Sequence, residues 1–123
     1  MPRNVLAFPT PPGLPFSAAV WAGDILYMSG QVGFDIKKGA LVSGGVASEA
    51  EQIITNAKAV LAAAGKTLDD VVKANIYLVR MSDFAAVNEV YARSFAAPYP
   101  ARTAIGVAAL PLGASVEMEF IIR

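Results

Sequence analysis

The chain has 123 residues, ten Lys and Arg against ten Asp and Glu, no His and no Cys, with 55% apolar and 16% charged residues. That length suits one domain over residues 1–123, the apolar content excludes disorder, and zero net charge with scattered cations argues against a nucleic-acid or anionic-membrane surface. Without His or Cys there is no Ser-His-Asp triad, no imidazole base, no thiolate nucleophile, no disulfide and no thiol-bound metal.

Five of the eight prolines (Pro2, Pro9, Pro11, Pro12 and Pro15) fall in the first sixteen residues, which predicts an extended arm. The apolar runs Ser17 to Ala22 and Ile25 to Ser29, separated by Gly23-Asp24, predict a β-hairpin. Gly30 ends the second strand. Gly33 to Gly45 is expected to be loop, with a turn from Asp35 to Gly39. Over residues 46 to 64, Ala50, Ile53, Ile54, Ala57, Val60, Leu61 and Ala64 recur at helical spacing. Ser48 and Glu51 have capping-box spacing, and Gly65 is the stop signal.

Val72 to Val79 reads as a strand. Ser82 is placed to cap a second helix from Asp83 to Phe95, whose buried stripe is Phe84, Val87, Tyr91 and Phe95. Asn88 falls within that stripe and needs a hydrogen-bond partner. After the stiff Pro98-Tyr99-Pro100 link, Thr103 to Ala109 and Ser115 to Ile122 are the last strands. The order ββ-α-β-α-ββ predicts a two-layer α+β domain, with both helices on one face of a mixed sheet. The last strands are apolar on more than one side, so the second face is expected to pack against copies of the same chain.

No acidic cluster has metal-ligand spacing, and neither GxGxxG nor GxxxxGK[ST] occurs, so no metal or phosphate-bearing cofactor is expected. No stretch nears the roughly 20 apolar residues of a membrane helix. The opening Met1-Pro2-Arg3-Asn4 does not look like a signal peptide, so a soluble cytoplasmic protein is expected. Any chemistry must rest on Arg, carboxylates, hydroxyls, amides and backbone groups. Arg102 is the sole cation between Ser94 and Ile122, and its planar fork suits a carboxylate ligand or a glutamate partner. Glu117 and Glu119, two apart on a strand, share a face opposite Val116, Met118, Phe120 and Ile122. They could handle a water or simply form a solvated edge. Ser29-Gly30 offers a hydroxyl and unobstructed backbone amides directly after a strand.

Several segments together resemble the RidA/YjgF family of imine deaminases, also called the L-PSP endoribonuclease family. They are Leu14 to Val20, Ser29-Gly30-Gln31, Asp70 to Lys73, Asp83-Phe84 with Val87, Asn88 and Tyr91, Pro100-Ala101-Arg102-Thr103, Leu110-Pro111, and Val116 to Glu119. The resemblance implies a chorismate-mutase-like subunit of the bacillus type, assembled as a homotrimer with ligand clefts between subunits. It implies cofactor-free hydrolysis of 2-imino acids, tautomers of the enamines released by pyridoxal-phosphate dehydratases, to 2-oxo acids and ammonia. Carried onto this chain, Arg102 would clamp the substrate carboxylate, and Glu117 would hold the attacking water. Phe16, Ser29 and Gly30 would line the pocket, supported by Asn88. Phe16 stands where many relatives have Tyr, Ala18 where Gln is frequent, and Ala104 where some have Cys. Those departures bear on substrate range. The competing readings are a non-catalytic trimer that binds a small carboxylate, a deaminase of another enamine, and a ribonuclease. The last has little support without a basic stripe interleaved with aromatic residues.

Overall fold

The computed structural model describes residues 2–123. The proline-rich arm contributes a short strand, β1 (Asn4–Val5), that pairs antiparallel with β2 (Ala19–Ala22). The expected hairpin follows. β2 pairs antiparallel with β3 (Ile25–Met28) across Gly23-Asp24, where Gly23 has the positive φ of 61° that a side chain would resist. The region expected as loop contains β4 (Gln31–Val32) and a small separate hairpin of β5 (Phe34–Asp35) and β6 (Ala40–Leu41). The predicted turn is the tip of that hairpin, with the Asp35 carboxylate accepting from the Lys37 backbone N–H.

Helix α1 (Val46–Ala63) buries Ala50, Ile53, Ile54, Ala57, Val60 and Leu61, the stripe expected from spacing. Its N-cap is Gly45, a turn before the expected capping box, and no side chain caps it. Gly65 ends it at φ 71°: the Lys66 N–H reaches the Leu61 carbonyl and the Gly65 N–H the Ala62 carbonyl, closing orphaned acceptors. Strand β7 (Val71–Leu78) leads through a 3-10 turn (Met81–Asp83) into α2 (Phe84–Ser94). Ser82 lies inside that turn and does not cap α2, whose N-cap is Asp83 with no side-chain bond. Strand β8 (Ala101–Gly106) starts and stops earlier than the sequence suggested, because it pairs in parallel with β7 from Lys73–Ala101 to Leu78–Gly106 and ends where β7 ends. Strand β9 (Val116–Ile122) completes the chain.

The sheet runs β1-β2-β3-β9-β7-β8, with β4 also paired to β9, and β7–β8 are its parallel neighbours. It is therefore a mixed α+β sheet, and both helices cover one face. Leu26, Val116, Met118, Phe120 and Ile122 on that face join Ile53, Leu61, Val87 and Val90 of the helices in one core. The other face of the sheet carries Tyr27, Lys73, Asn75, Tyr77, Thr103, Ile105, Glu117 and Glu119. Tyr27 is 50% and Ile105 46% exposed. Among the described residues no helix is long and apolar enough to cross a membrane.

Candidate active site

The strand that runs from β3 into β4 is not regular. Tyr27 pairs with Ile121 and Gln31 with Met118, so four steps on this strand oppose three on β9. The extra residue is a bulge at Met28-Ser29-Gly30, and bulges re-aim what lies beside them. Here it brings the backbone of Gly30 against the Glu117 carboxylate: a Cβ on Gly30 would sit 2.1 Å from Glu117 Oε2. Only a residue without a side chain lets the two approach this closely. The Ser29 hydroxyl donates to the Ser17 carbonyl at 2.6 Å, which ties the bulge to the arm and leaves its oxygen able to accept.

Glu117 and Glu119 project from the open face, as their spacing requires, while Val116, Met118 and Phe120 are buried. Their surroundings differ. Glu119 Oε1 accepts from Tyr77 Oη at 2.5 Å and from Asn75 Nδ2 at 3.1 Å. Glu117 has no hydrogen-bond donor among the described residues, and burial, then the charge of Glu119, raises its pKa. Tyr77 is pushed up to about 12, first by its hydrogen bond to Glu119 and then by burial.

Arg102 lies on the other side of the sheet. Alternation along β8 sends Thr103 to the open face, where it accepts from Lys73 Nζ at 2.9 Å, and turns Arg102 toward α2. There Arg102 Nη1 donates to Asn88 Oδ1 at 2.7 Å. The guanidinium lies 5.0 Å from the ring centre of Tyr91 and 5.4 Å from that of Phe84. These contacts explain Asn88 on an otherwise apolar stripe: it orients the arginine. The two rings give the cation a shelf, leaving donors of the fork open to a ligand. The Tyr91 hydroxyl is buried with no partner among the described residues, and burial raises its pKa against the opposing pull of Arg102.

The expected site residues thus separate into two groups. Asn88 and Arg102 line an open cleft of about 340 Å³ with Tyr91, Tyr99 and Pro100. Phe16 and Ser29 line a second, of about 540 Å³, with Arg3, Pro15, Ser17 and Val20. Gly30 and Glu117 adjoin Ser29. Within one chain the guanidinium and the Glu117 carboxylate face opposite sides of the sheet. The roles of Tyr77 and Asn75 are not evident from sequence, where both serve only as strand formers; alternation places them on the face of Glu119 once β7 is known to neighbour β9. Glu49, 6% exposed, also escapes notice. Its carboxylate accepts from the Ser115 N–H at 2.8 Å, fixing the start of β9 against α1. No group of three or more acidic side chains gathers as a metal site among the described residues.

Known proteins resemble this chain in sequence and in fold. Residues 9–123 match the family model described as endoribonuclease L-PSP. The chain is 42% identical to a 2-iminobutanoate/2-iminopropanoate deaminase of Dermatophagoides farinae, over 98% of this chain and 96% of that protein. It is 44% identical to the human protein of the same name, over 97% and 88%. The crystal structure of RidA from an Antarctic Psychrobacter superposes with a TM-score of 0.87 at 45% identity, covering 98% of this chain and 97% of that one.

Proposed function

The chain belongs to the endoribonuclease L-PSP (RidA/YjgF) family, and from that premise we propose that it is a cofactor-independent hydrolase of 2-imino acids, yielding 2-oxo acids and ammonia. The observation that carries the reading is the supported guanidinium: Arg102 is aimed by Asn88 and backed by two aromatic rings, an arrangement suited to a small carboxylate. Two relatives bearing the deaminase name, alike over nearly the whole chain, add to it.

The two groups of site residues become one site if a neighbouring copy brings its Arg102 edge to the Glu117 face. We therefore assign the chain to a homotrimer with three clefts between subunits. The exposed Tyr27 and Ile105 on the uncovered sheet face support such packing, since large apolar side chains there gain from burial. The substrate enters as the zwitterion of a protonated imine and a carboxylate, R–C(=NH2+)–COO−. Arg102 grips the carboxylate. Glu117 takes a proton from a water whose oxygen attacks the imine carbon, forming a tetrahedral carbinolamine, R–C(OH)(NH2)–COO−. The same carboxyl returns that proton to the amine; as the C–N bond breaks, the hydroxyl becomes the carbonyl and its proton passes through Glu117 to the departing ammonia, releasing NH4+ and R–CO–COO− with Glu117 again ionised. The raised pKa of Glu117 makes its carboxylate a stronger base toward the water. Much of the barrier is met by positioning, which can be worth about 7–11 kcal/mol in favourable systems. We place the reaction in the cytoplasm.

The dispersed cations do not favour ribonuclease action: Arg93 pairs with Glu51, Arg123 with Asp24, and Arg102 with Asn88. The test couples purified protein to a threonine dehydratase and follows 2-oxobutanoate formation. Accelerated imine loss that disappears in Arg102→Ala supports the assignment. Ligand binding with no acceleration identifies a carboxylate-binding protein instead.

A further inference from the structure

Two carboxylates stand on one face of β9, and the sheet treats them differently. In register, Asn75 lies opposite Glu119 and Tyr77 opposite Glu117. Yet the Tyr77 hydroxyl leans along the strand to Glu119, so both donors converge on Glu119 Oε1 at 2.5 and 3.1 Å. Glu117, directly across from Tyr77, is left with none and is pressed against the backbone of Gly30 instead. Donors directed at one carboxylate stabilise its ionised form, and a fixed anion two residues away on the same face disfavours a second charge.

We propose that Glu119 is a positioning residue: engaged by Tyr77 and Asn75, it leaves Glu117 as the member of the pair that carries the travelling proton. This rests on the reading of Glu117 as the group that handles water. The direction of the Glu117 shift agrees, with burial as the larger cause and Glu119 the only charge contributing to it.

The other groups packed around Glu117 do not supply the effect. On β7, Lys73 is further along the strand and bonded to Thr103 of β8. On β4 the opposite residue is Val32, beside Gln31, and on β3 the face carries Tyr27. Strand β8 of the same chain offers Thr103 and Ile105 on this face, while its Arg102 points to α2; in the proposed trimer a neighbouring copy's Arg102 reaches this face, and its positive charge favours the ionised form of Glu117, opposing Glu119.

The experiment uses the whole protein labelled with glutamate carrying 13C at the side-chain carboxyl. The Glu117 and Glu119 signals are assigned by their loss in Glu117→Gln and Glu119→Gln. Glu119→Gln keeps an acceptor for both donors while removing the charge. In that variant the Glu117 titration midpoint is expected to fall toward those of the exposed glutamates, and the acidic limb of kcat/KM for imine hydrolysis to move to lower pH with it. In Tyr77→Phe, which deletes one donor without adding charge, the Glu119 carboxyl 13C signal is expected to move from its wild-type position. An unmoved Glu117 midpoint in Glu119→Gln overturns the proposal. So does an unmoved Glu119 signal in Tyr77→Phe, which serves alone if the first variant does not fold. A Glu117 midpoint that falls while the kinetic limb stays in place upholds the coupling and instead removes Glu117 from the reaction.

Discussion

Replacing Gly30 by alanine isolates the contact between the bulge and Glu117. The backbone at Gly30 has no positive φ, so alanine is tolerated there conformationally. What it cannot tolerate is the carboxylate: the new Cβ would lie 2.1 Å from Oε2 and 3.1 Å from the carboxyl carbon. That is more than about 1 Å inside van der Waals contact, so the carboxylate must swing away by at least that much. The group that moves is the far end of a flexible side chain, and the core beneath it is untouched. Stability should therefore change by less than about 1 kcal/mol. Catalysis is less forgiving, because a misplacement of about 1 Å in a positioned group can cost about 100-fold, or about 2.7 kcal/mol. The assay is dehydratase-coupled imine hydrolysis on Gly30→Ala, Glu117→Gln and the double variant. If the alanine acts by displacing Glu117, its effect vanishes once Glu117 is already Gln, and the double variant is no slower than the slower single one. A Gly30→Ala enzyme within threefold of wild type, or losses that multiply in the double variant, would refute this account of the bulge.

Arg102→Ala should lower kcat/KM by about 100-fold or more, since two charge-assisted hydrogen bonds to the substrate carboxylate are worth about 1.5–3 kcal/mol each. Its thermal midpoint should change little, because the side chain is exposed and its own contacts are surface ones. Arg102→Lys should recover only part of the loss, a point charge replacing a fork; full recovery would count against bidentate recognition. Tyr91→Phe should raise stability by about 1 kcal/mol, measured by urea unfolding, because it deletes a buried hydroxyl that lacks a partner. A drop instead would mean that the hydroxyl is satisfied. The folded chain binds the Glu117 proton more tightly than the unfolded chain does, so stability falls as pH rises from the ordinary glutamate value through the raised one. Urea midpoints across that range should flatten in Glu117→Gln, and an unchanged slope would contradict the shift.

Much of the local structure is legible without coordinates because it depends on short-range periodicity. The three- and four-residue spacing from Ala50 to Leu61 can bury one stripe only as a helix. The period of two in β9 separates Val116, Met118, Phe120 and Ile122 from Glu117 and Glu119 whichever strands lie alongside. Gly65 reads as a helix stop because a left-handed residue there lets the helix close its last carbonyls. Three expectations of this kind failed. The Ser48-Glu51 box does not cap α1, which starts a turn earlier, Ser82 was displaced from its cap by a 3-10 turn, and the hairpin from Phe34 to Leu41 was hidden in a region of loop-like composition. Both strands of that hairpin are only two residues long, too short to show alternation.

Residue types and their spacing determined the layer arrangement, the two faces of the last strand, and the short set of groups able to do chemistry in a chain without His or Cys. Only tertiary structure decided how those groups meet. The parallel alignment of β8 on β7 turns Arg102 toward Asn88, and the extra residue before β4 sets Gly30 against Glu117. The neighbouring of β7 and β9 gives Tyr77 and Asn75 to Glu119. Each of these joins residues far apart in the chain through backbone register. A one-residue change in register reverses which face a side chain occupies, and periodicity along a single segment carries no information about its partner.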